Sequence, residues 1–303
     1  MGVSAKPSGT IGRLVKVLPT AVLFALLAFA VIAAVMALNA YIQSRRARSL
    51  AGQRAALLSD VGVLQAALLP AVPASIGELG VSVAYRPAQG LAAGGDFFDV
   101  FTISPGRTGI IIGDVSGHGR ESLIHAALVR YTLRTLMGEG HPLPEVLARA
   151  DRYLSGELGD GFATVVVCAY EHASGKLTWA KAGHEPPIIA GQPDAPEQSA
   201  TPLGLGMGDV WPQFSRNLAA GERVCLFTDG LTEARRQGEY LQRAHLKSLV
   251  EEGLDAQELV DRIQSDADEC PDDLAAVVLT RAVAASAKPI AEPSNPERET
   301  TTV

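Results

Sequence analysis

Cysteine is scarce in this 303-residue chain: Cys168, Cys225 and Cys270 form no CxxC pair. That excludes a disulfide framework and a thiolate zinc site, and it suits a reducing compartment in which such residues serve packing. No GxSxG stretch occurs, which removes the nucleophile elbow of a serine hydrolase. Acids are missing from residues 1–59, which carry seven Lys/Arg; the rest holds 19 bases against 33 acids, a balance of −14. So acidic a body is a poor partner for nucleic acid, whose phosphates are met by clustered Lys and Arg, and a better one for cations or cationic protein surfaces. Aromatics are few at 5%, yet 47% apolar residues are ample for a core.

Long apolar runs are confined to one place. Ala21 to Leu38 is unbroken for 18 residues and extends through Val17 and Leu18 on one side and Tyr41 and Ile42 on the other. That is the length needed to cross roughly 30 Å of hydrocarbon. A cleaved secretory signal, with Val35-Met36-Ala37 as processing site, fits less well, because the run is too long and Arg45, Arg46 and Arg48 follow at once. The chain therefore divides into a basic segment 1–16, a transmembrane helix 17–42 and a helical linker 43–70. Four arginines after the span against Lys6, Arg13 and Lys16 before it lean toward a single-pass protein of the cell membrane with its body in the cytoplasm. In the linker, Leu50, Leu57, Val61, Leu64 and Leu68 form a seam that either packs on its own domain or pairs with a second copy as a homodimer, until Pro70 and Pro73 stop it.

The body begins with a strand at 81–85. Its centre is Thr108 to Gly119, TGIIIGDVSGHG, where three isoleucines predict a strand buried on both faces and Gly113, Gly117 and Gly119 let the backbone turn beside Asp114. Before it, Gly94-Gly95-Asp96-Phe97-Phe98-Asp99 places two acids three apart, facing opposite sides of an extended strand. Residues 120–137 have helical spacing with Ile124, Leu128, Tyr131 and Thr135 on one face, and a second helix is predicted over 144–158. Strands are predicted at 162–170, 176–182, 223–228 and 274–280, with helices near 241–252 and 255–267. From Ala284 onward the composition reads as a disordered tail. Strand groups separated by helix pairs indicate an α+β layered sandwich.

Asp96, Asp114, Asp229 and Asp272 or Asp273 each sit beside a glycine or at the mouth of a buried strand. Any one of them alone reads as a turn residue. Together, four acids at strand ends of one sheet system must protonate or recruit cations, and an all-oxygen set suits Mg²⁺ or Mn²⁺. Two such ions lower the pKa of a shared water and stabilise an in-line displacement at phosphorus.

The segments GGDFFD, GDVSGHG, ATVVVCAYEHASGKLTWAKAGHEPP, LFTDGLTEA and PDDLAAVVL, in this order and at these separations, look like the metal-dependent protein phosphatase family (PPM, type 2C) in its bacterial SpoIIE/RsbU branch. The resemblance implies an αββα sandwich over 71–283 and a centre of two Mn²⁺ or Mg²⁺ ions that hydrolyses phosphoserine or phosphothreonine with a metal-activated water. Carried over by position, Asp96, Asp114, Asp229 and Asp272 match the metal-binding, catalytic acids and the backbone carbonyl of Val115 a further ligand, with Asp99 and Asp273 as supporting acids behind them. Ala275 stands where the last motif usually has threonine. His118 is out of register with the histidine that eukaryotic members offer as general acid, and Ser116 is nearer, so that role stays unassigned. His184 reads as a turn and packing residue, since imidazole is out of place in a carboxylate shell.

Arg86 and Arg120 are the candidates for meeting the substrate phosphate. In this branch the usual substrate is a phosphorylated anti-sigma factor antagonist of STAS type. Two other classes are weighed: a phosphatase-fold binding module without turnover, and a GGDEF-like nucleotide cyclase, which needs an acid where Phe97 stands.

Overall fold

The computed structural model describes residues 20–68, 70–88, 94–194, 200–208 and 210–283, with the backbone alone at 21 and 47–68. The chain divides into two units, residues 1–60 and 61–303. The first contains most of one helix, α1 (Thr20–Leu68), which runs without a break across the expected boundary between span and linker. Its segment Val22–Arg46, 25 residues with mean hydropathy 2.6, is long and apolar enough to cross a membrane by length and composition. The basic segment 1–16, the tail 284–303 and the side chains of the Leu50 to Leu68 seam lie outside the described residues.

The second unit continues with β1 (Ser75–Ile76), β2 (Leu79–Arg86), β3 (Phe97–Ser104) and β4 (Arg107–Val115). Helices α2 (Arg120–Gly138) and α3 (Leu143–Leu154) precede the hairpin of β5 (Ala163–Glu171) and β6 (Lys176–Ala182). Then come β7 (Ile188–Ile189), β8 (Gln213–Asn217) and β9 (Arg223–Phe227). A single helical turn, α4 (Gly230–Glu233), and a small hairpin, β10 (Arg235–Arg236) with β11 (Glu239–Tyr240), lead to α5 (Gln242–Glu252), α6 (Ala256–Asp266) and β12 (Leu274–Arg281).

Two antiparallel five-stranded sheets result, ordered β1-β2-β12-β9-β7 and β3-β4-β5-β6-β8. Successive side chains of a strand point to opposite faces, so a run apolar at every position needs a core on each side. Ile111 packs with Phe97, Val167, Leu133 and Leu147 between the second sheet and helices α2 and α3. Ile110 and Ile112 turn the other way and meet Val81, Leu226 and Val277 across the two sheets. On the far side, Phe227 and Val278 of the first sheet pack with Leu249 and Ile263 of α5 and α6. The layers are helix, sheet, sheet, helix, and each fully buried isoleucine contributes on the order of 2–3 kcal/mol.

Helix α2 turns a different face inward from the one its spacing predicts. It buries Leu123, Ala126, Val129, Leu133 and Met137, and leaves Ile124 and Tyr131 56% exposed. Both stripes are apolar over part of the helix, but only the first continues through every turn. It also brings two arginines over β3. Arg134 donates to Asp99 Oδ1 and Oδ2 at 2.9 and 2.8 Å, and the buried Arg130 lies 3.8 Å from the same carboxylate. Asp99 is fully buried, so removing it strands a buried cation. Asp99→Ala is expected to destabilise the domain by about 3 kcal/mol, read in thermal denaturation as a drop of roughly 6–12 °C; a loss below about 1 kcal/mol would reduce the clamp to surface solvation.

Candidate active site

Strands of both sheets deliver acids to one end of the sandwich, and the registers explain why. Phe97 pairs with Gly113, so Asp96 and Asp114 come one step further along the β3–β4 ladder, on the side of Phe98 and Ile112 that faces the other sheet. In that sheet Ala276 pairs with Phe227, so Thr228 and Asp229 leave β9 beside Asp272 and Asp273 entering β12. Thr228 ties the sheets together: its hydroxyl donates to Asp96 Oδ2 at 2.7 Å and accepts from Ala275 N at 3.1 Å. Asp273 is buried, and its carboxylate accepts from the Tyr85 hydroxyl and, at 2.8 Å, from Ala88 N. Asp272 Oδ1 in turn accepts from Asp273 N at 2.8 Å.

Two glycines make the close approach possible. A Cβ on Gly95 would stand 2.1 Å from the Val115 carbonyl oxygen and 2.6 Å from Asp114 Oδ1, while one on Gly94 would stand 1.7 Å from Asp273 Oδ2. Any larger residue would drive a carbon into the acids themselves.

Crowding has an electrostatic consequence. Burial, then the carboxylates of Asp229, Asp272 and Asp273, push Asp114 up to about 8. Burial, then Asp272 and Glu233, push Asp229 up to about 6. Asp96 is held well above the carboxylate range by burial and then by Asp114. Like charges in a low-dielectric cleft raise one another in this way, and a hard cation relieves them. The donor set is wholly oxygen, with room beside the Val115 carbonyl only because position 95 lacks a Cβ, and it fits Mg²⁺ or Mn²⁺ and no softer ion. Among the described residues no three acids, imidazoles or thiolates are gathered about one point at ligand distance. The acids sense one another across the cleft without closing into a single cage.

Other expected site residues lie elsewhere. Asp99 is on the opposite face of β3, held by Arg134 and Arg130, and is not brought to the cluster. Strand parity is the reason: three residues on from Asp96, its side chain points at the helices. Arg86 hydrogen-bonds Gln264 and pairs with Asp261 at 2.7 Å on α6, but it lines a cavity of about 510 Å³ whose wall includes Asp272. Arg120 is exposed in the first turn of α2. Ser116 Oγ accepts from Phe162 N at 2.9 Å, and His118 is exposed. Phe97, where a cyclase would need an acid, is buried in the helix-facing core. Thr228 and Tyr85, which position Asp96 and Asp273, escape sequence reading because the LFTDG motif points to its aspartate and Tyr85 belongs to no motif.

A two-sheet sandwich flanked by helix pairs, with acids converging at one end of the sheets, has the αββα architecture of the type 2C phosphatases. Solved neighbours share it: the PP2C domain of SiaA from Pseudomonas aeruginosa (TM-score 0.65, 18% identity, 78% of this chain and 98% of that one) and a magnesium complex of RsbX (TM-score 0.55, 13% identity, 68% and 96%). Residues 104–282 match the model of the stage II sporulation protein E (SpoIIE) family, and the chain belongs to that family. Phosphoserine phosphatase RsbU of Bacillus subtilis (strain 168) is 30% identical over 176 residues, 56% of this chain; the match spans about half of that relative, 52% of its length.

Proposed function

We propose that this chain is a membrane-anchored protein phosphatase that hydrolyses phosphoserine or phosphothreonine on a regulatory protein, an anti-sigma factor antagonist of STAS type. The observation that carries the reading is the meeting of Asp96, Asp114, Asp229 and Asp272 at one end of the two sheets, with Asp114 and Asp229 pushed up by burial and by their acidic neighbours. These four acids and the Val115 carbonyl would hold two Mn²⁺ or Mg²⁺ ions. Ions held there would supply an activated water for in-line attack at phosphorus and offset the charge that develops. Thr228 fixes the rotamer of Asp96, while Tyr85 and Ala88 N hold Asp273 behind Asp272. Arg120 at the start of α2, and Arg86 once turned from Asp261, are the cations offered to the substrate phosphate.

Residues 17–42 are assigned as the span, 43–70 as a linker with a seam for a second copy, and 71–283 as the phosphatase domain in the cytoplasm. The apolar stretch Val22–Arg46 and the arginines that follow it support this placement. The name of the RsbU relative supports phosphoserine as substrate. The detergent-solubilised full chain, given phosphoserine and phosphothreonine proteins with and without Mn²⁺, is expected to release phosphate only with the metal, and in cells that activity sediments with membranes. Absence of turnover on any phosphoprotein would leave a binding module; activity in the soluble fraction would remove the anchor.

A further inference from the structure

His184 follows β6, is buried, and reaches both sheets with its two ring nitrogens. Nδ1 lies 2.8 Å from Thr164 Oγ1 and Nε2 lies 3.0 Å from the carbonyl oxygen of Phe227. A carbonyl only accepts, so Nε2 carries the proton and donates; Nδ1 of the neutral ring then accepts from the Thr164 hydroxyl. Burial holds the imidazole down at about 4, so this one tautomer persists at neutral pH. The backbone beneath it is fixed as well: Lys181 Nζ donates to the His184 carbonyl at 3.2 Å, and Gly183 turns the chain at φ +68° with its N–H on Ala200 O at 2.9 Å.

What the ring connects gives it a role beyond packing. Thr164 is the register partner of Asp114 across the β4–β5 ladder. Phe227 is the last residue of β9, immediately before Thr228 and Asp229. One imidazole therefore bridges the strand end beside Asp114 to the strand end that delivers Asp229, and with both nitrogens committed it has none left for a metal or a proton transfer. We infer that His184 is a positioning residue that sets the separation of Asp114 and Asp229, and through it the affinity of the acidic cluster for divalent cations. The inference rests on the metal-holding reading above. Supports one step removed from the ligands characteristically change metal affinity by about 10–100-fold when lost.

The test compares the detergent-solubilised full chain with its His184→Ala, His184→Gln and Thr164→Val variants. Mn²⁺ affinity is measured by calorimetry, alongside the melting temperature in a metal-free chelating buffer. His184→Ala is expected to weaken Mn²⁺ binding about 10–100-fold, with saturating Mn²⁺ restoring most of the turnover. Thr164→Val, which keeps the side-chain shape and removes half of the bridge, loses less. His184→Gln, whose amide N–H can still donate to Phe227 O, recovers part of the affinity. A residue that only packs would lower the melting temperature and leave the folded protein binding Mn²⁺ within about twofold of wild type, and that result overturns the inference. Should His184→Ala fail to fold, the Mn²⁺ affinity of Thr164→Val decides by the same twofold criterion. If the wild type itself binds no Mn²⁺, the metal reading falls and takes this inference with it; if the wild type binds and the variants bind as tightly, only the inference falls.

Discussion

Asp114→Asn is expected to cut Mn²⁺-dependent turnover by roughly a thousandfold while leaving the metal-free domain at least as stable as the wild type. On the proposed reading Asp114 is a metal ligand, and losing one ligand charge removes several kcal/mol of transition-state stabilisation, each 1.4 kcal/mol being about tenfold in rate. The stability half follows from the site. Asp114 ionises only against burial and against Asp229, Asp272 and Asp273, so a neutral amide of the same shape replaces a group that the fold already pushes up to about 8. A structural aspartate would behave in the opposite way, costing stability on amidation. Steady-state turnover of p-nitrophenyl phosphate with Mn²⁺, read beside the melting temperature in a chelating buffer, separates the two. Activity within tenfold of wild type, or clear destabilisation of the metal-free variant, would defeat the assignment.

Stability of the metal-free chain is expected to fall between pH 6.5 and 8.5, and added Mn²⁺ to reverse the fall. Asp229 and Asp114 carry folded-state values raised to about 6 and about 8, above the unfolded carboxylate range. Groups raised in this way give stability that is whole below the unfolded pKa and lost as pH climbs through the folded one. His184 works in the other direction, since its folded value is lowered to about 4: its contribution is present above the unfolded value near 6.5 and lost as pH falls below that. Above about pH 7.5 the histidine is silent, and between pH 6.5 and 7.5 its small residual gain is outweighed by the aspartates, which decide the slope. Asp114 alone accounts for about 2 kcal/mol across this window, or roughly 4–8 °C in melting temperature. The gap between metal-loaded and metal-free melting points should therefore widen toward pH 8.5, and Asp114→Asn should flatten it. A gap that narrows with pH would mean that the cation binds elsewhere.

The layered architecture is legible in the sequence because Ile110 to Ile112 are apolar at three consecutive positions between glycines, which suits a strand in a sheet with cores on both faces. The meeting of the acids is legible from their shared placement beside glycines and strand ends, and the parity of β3 also announces that Asp96 and Asp99 part. Spacing alone picks the wrong face of helix α2 because Ile124, Leu128 and Tyr131 keep helical periodicity too; choosing between two apolar stripes takes the buried Asp99 on β3, which calls Arg130 and Arg134 to the inner face. Strand β8 gives no signal, since its alternating exposed and half-buried residues at the sheet edge read as a loop. The bridging role of His184 is hidden because its partners, a threonine 20 positions earlier and a carbonyl 43 later, are joined only by the fold.

The β3–β4 hairpin also fixes where the chain tolerates a change in length. A residue added at the exposed turn around Pro105 and Gly106 leaves both ladders in step. The same insertion between Ile110 and Asp114 would swap the faces of every side chain beyond it and aim the Asp114 carboxylate at the Leu133 and Leu147 layer. Relatives should accordingly vary in length at that tip and keep a fixed count from the isoleucines to the aspartate, whatever residues fill the count.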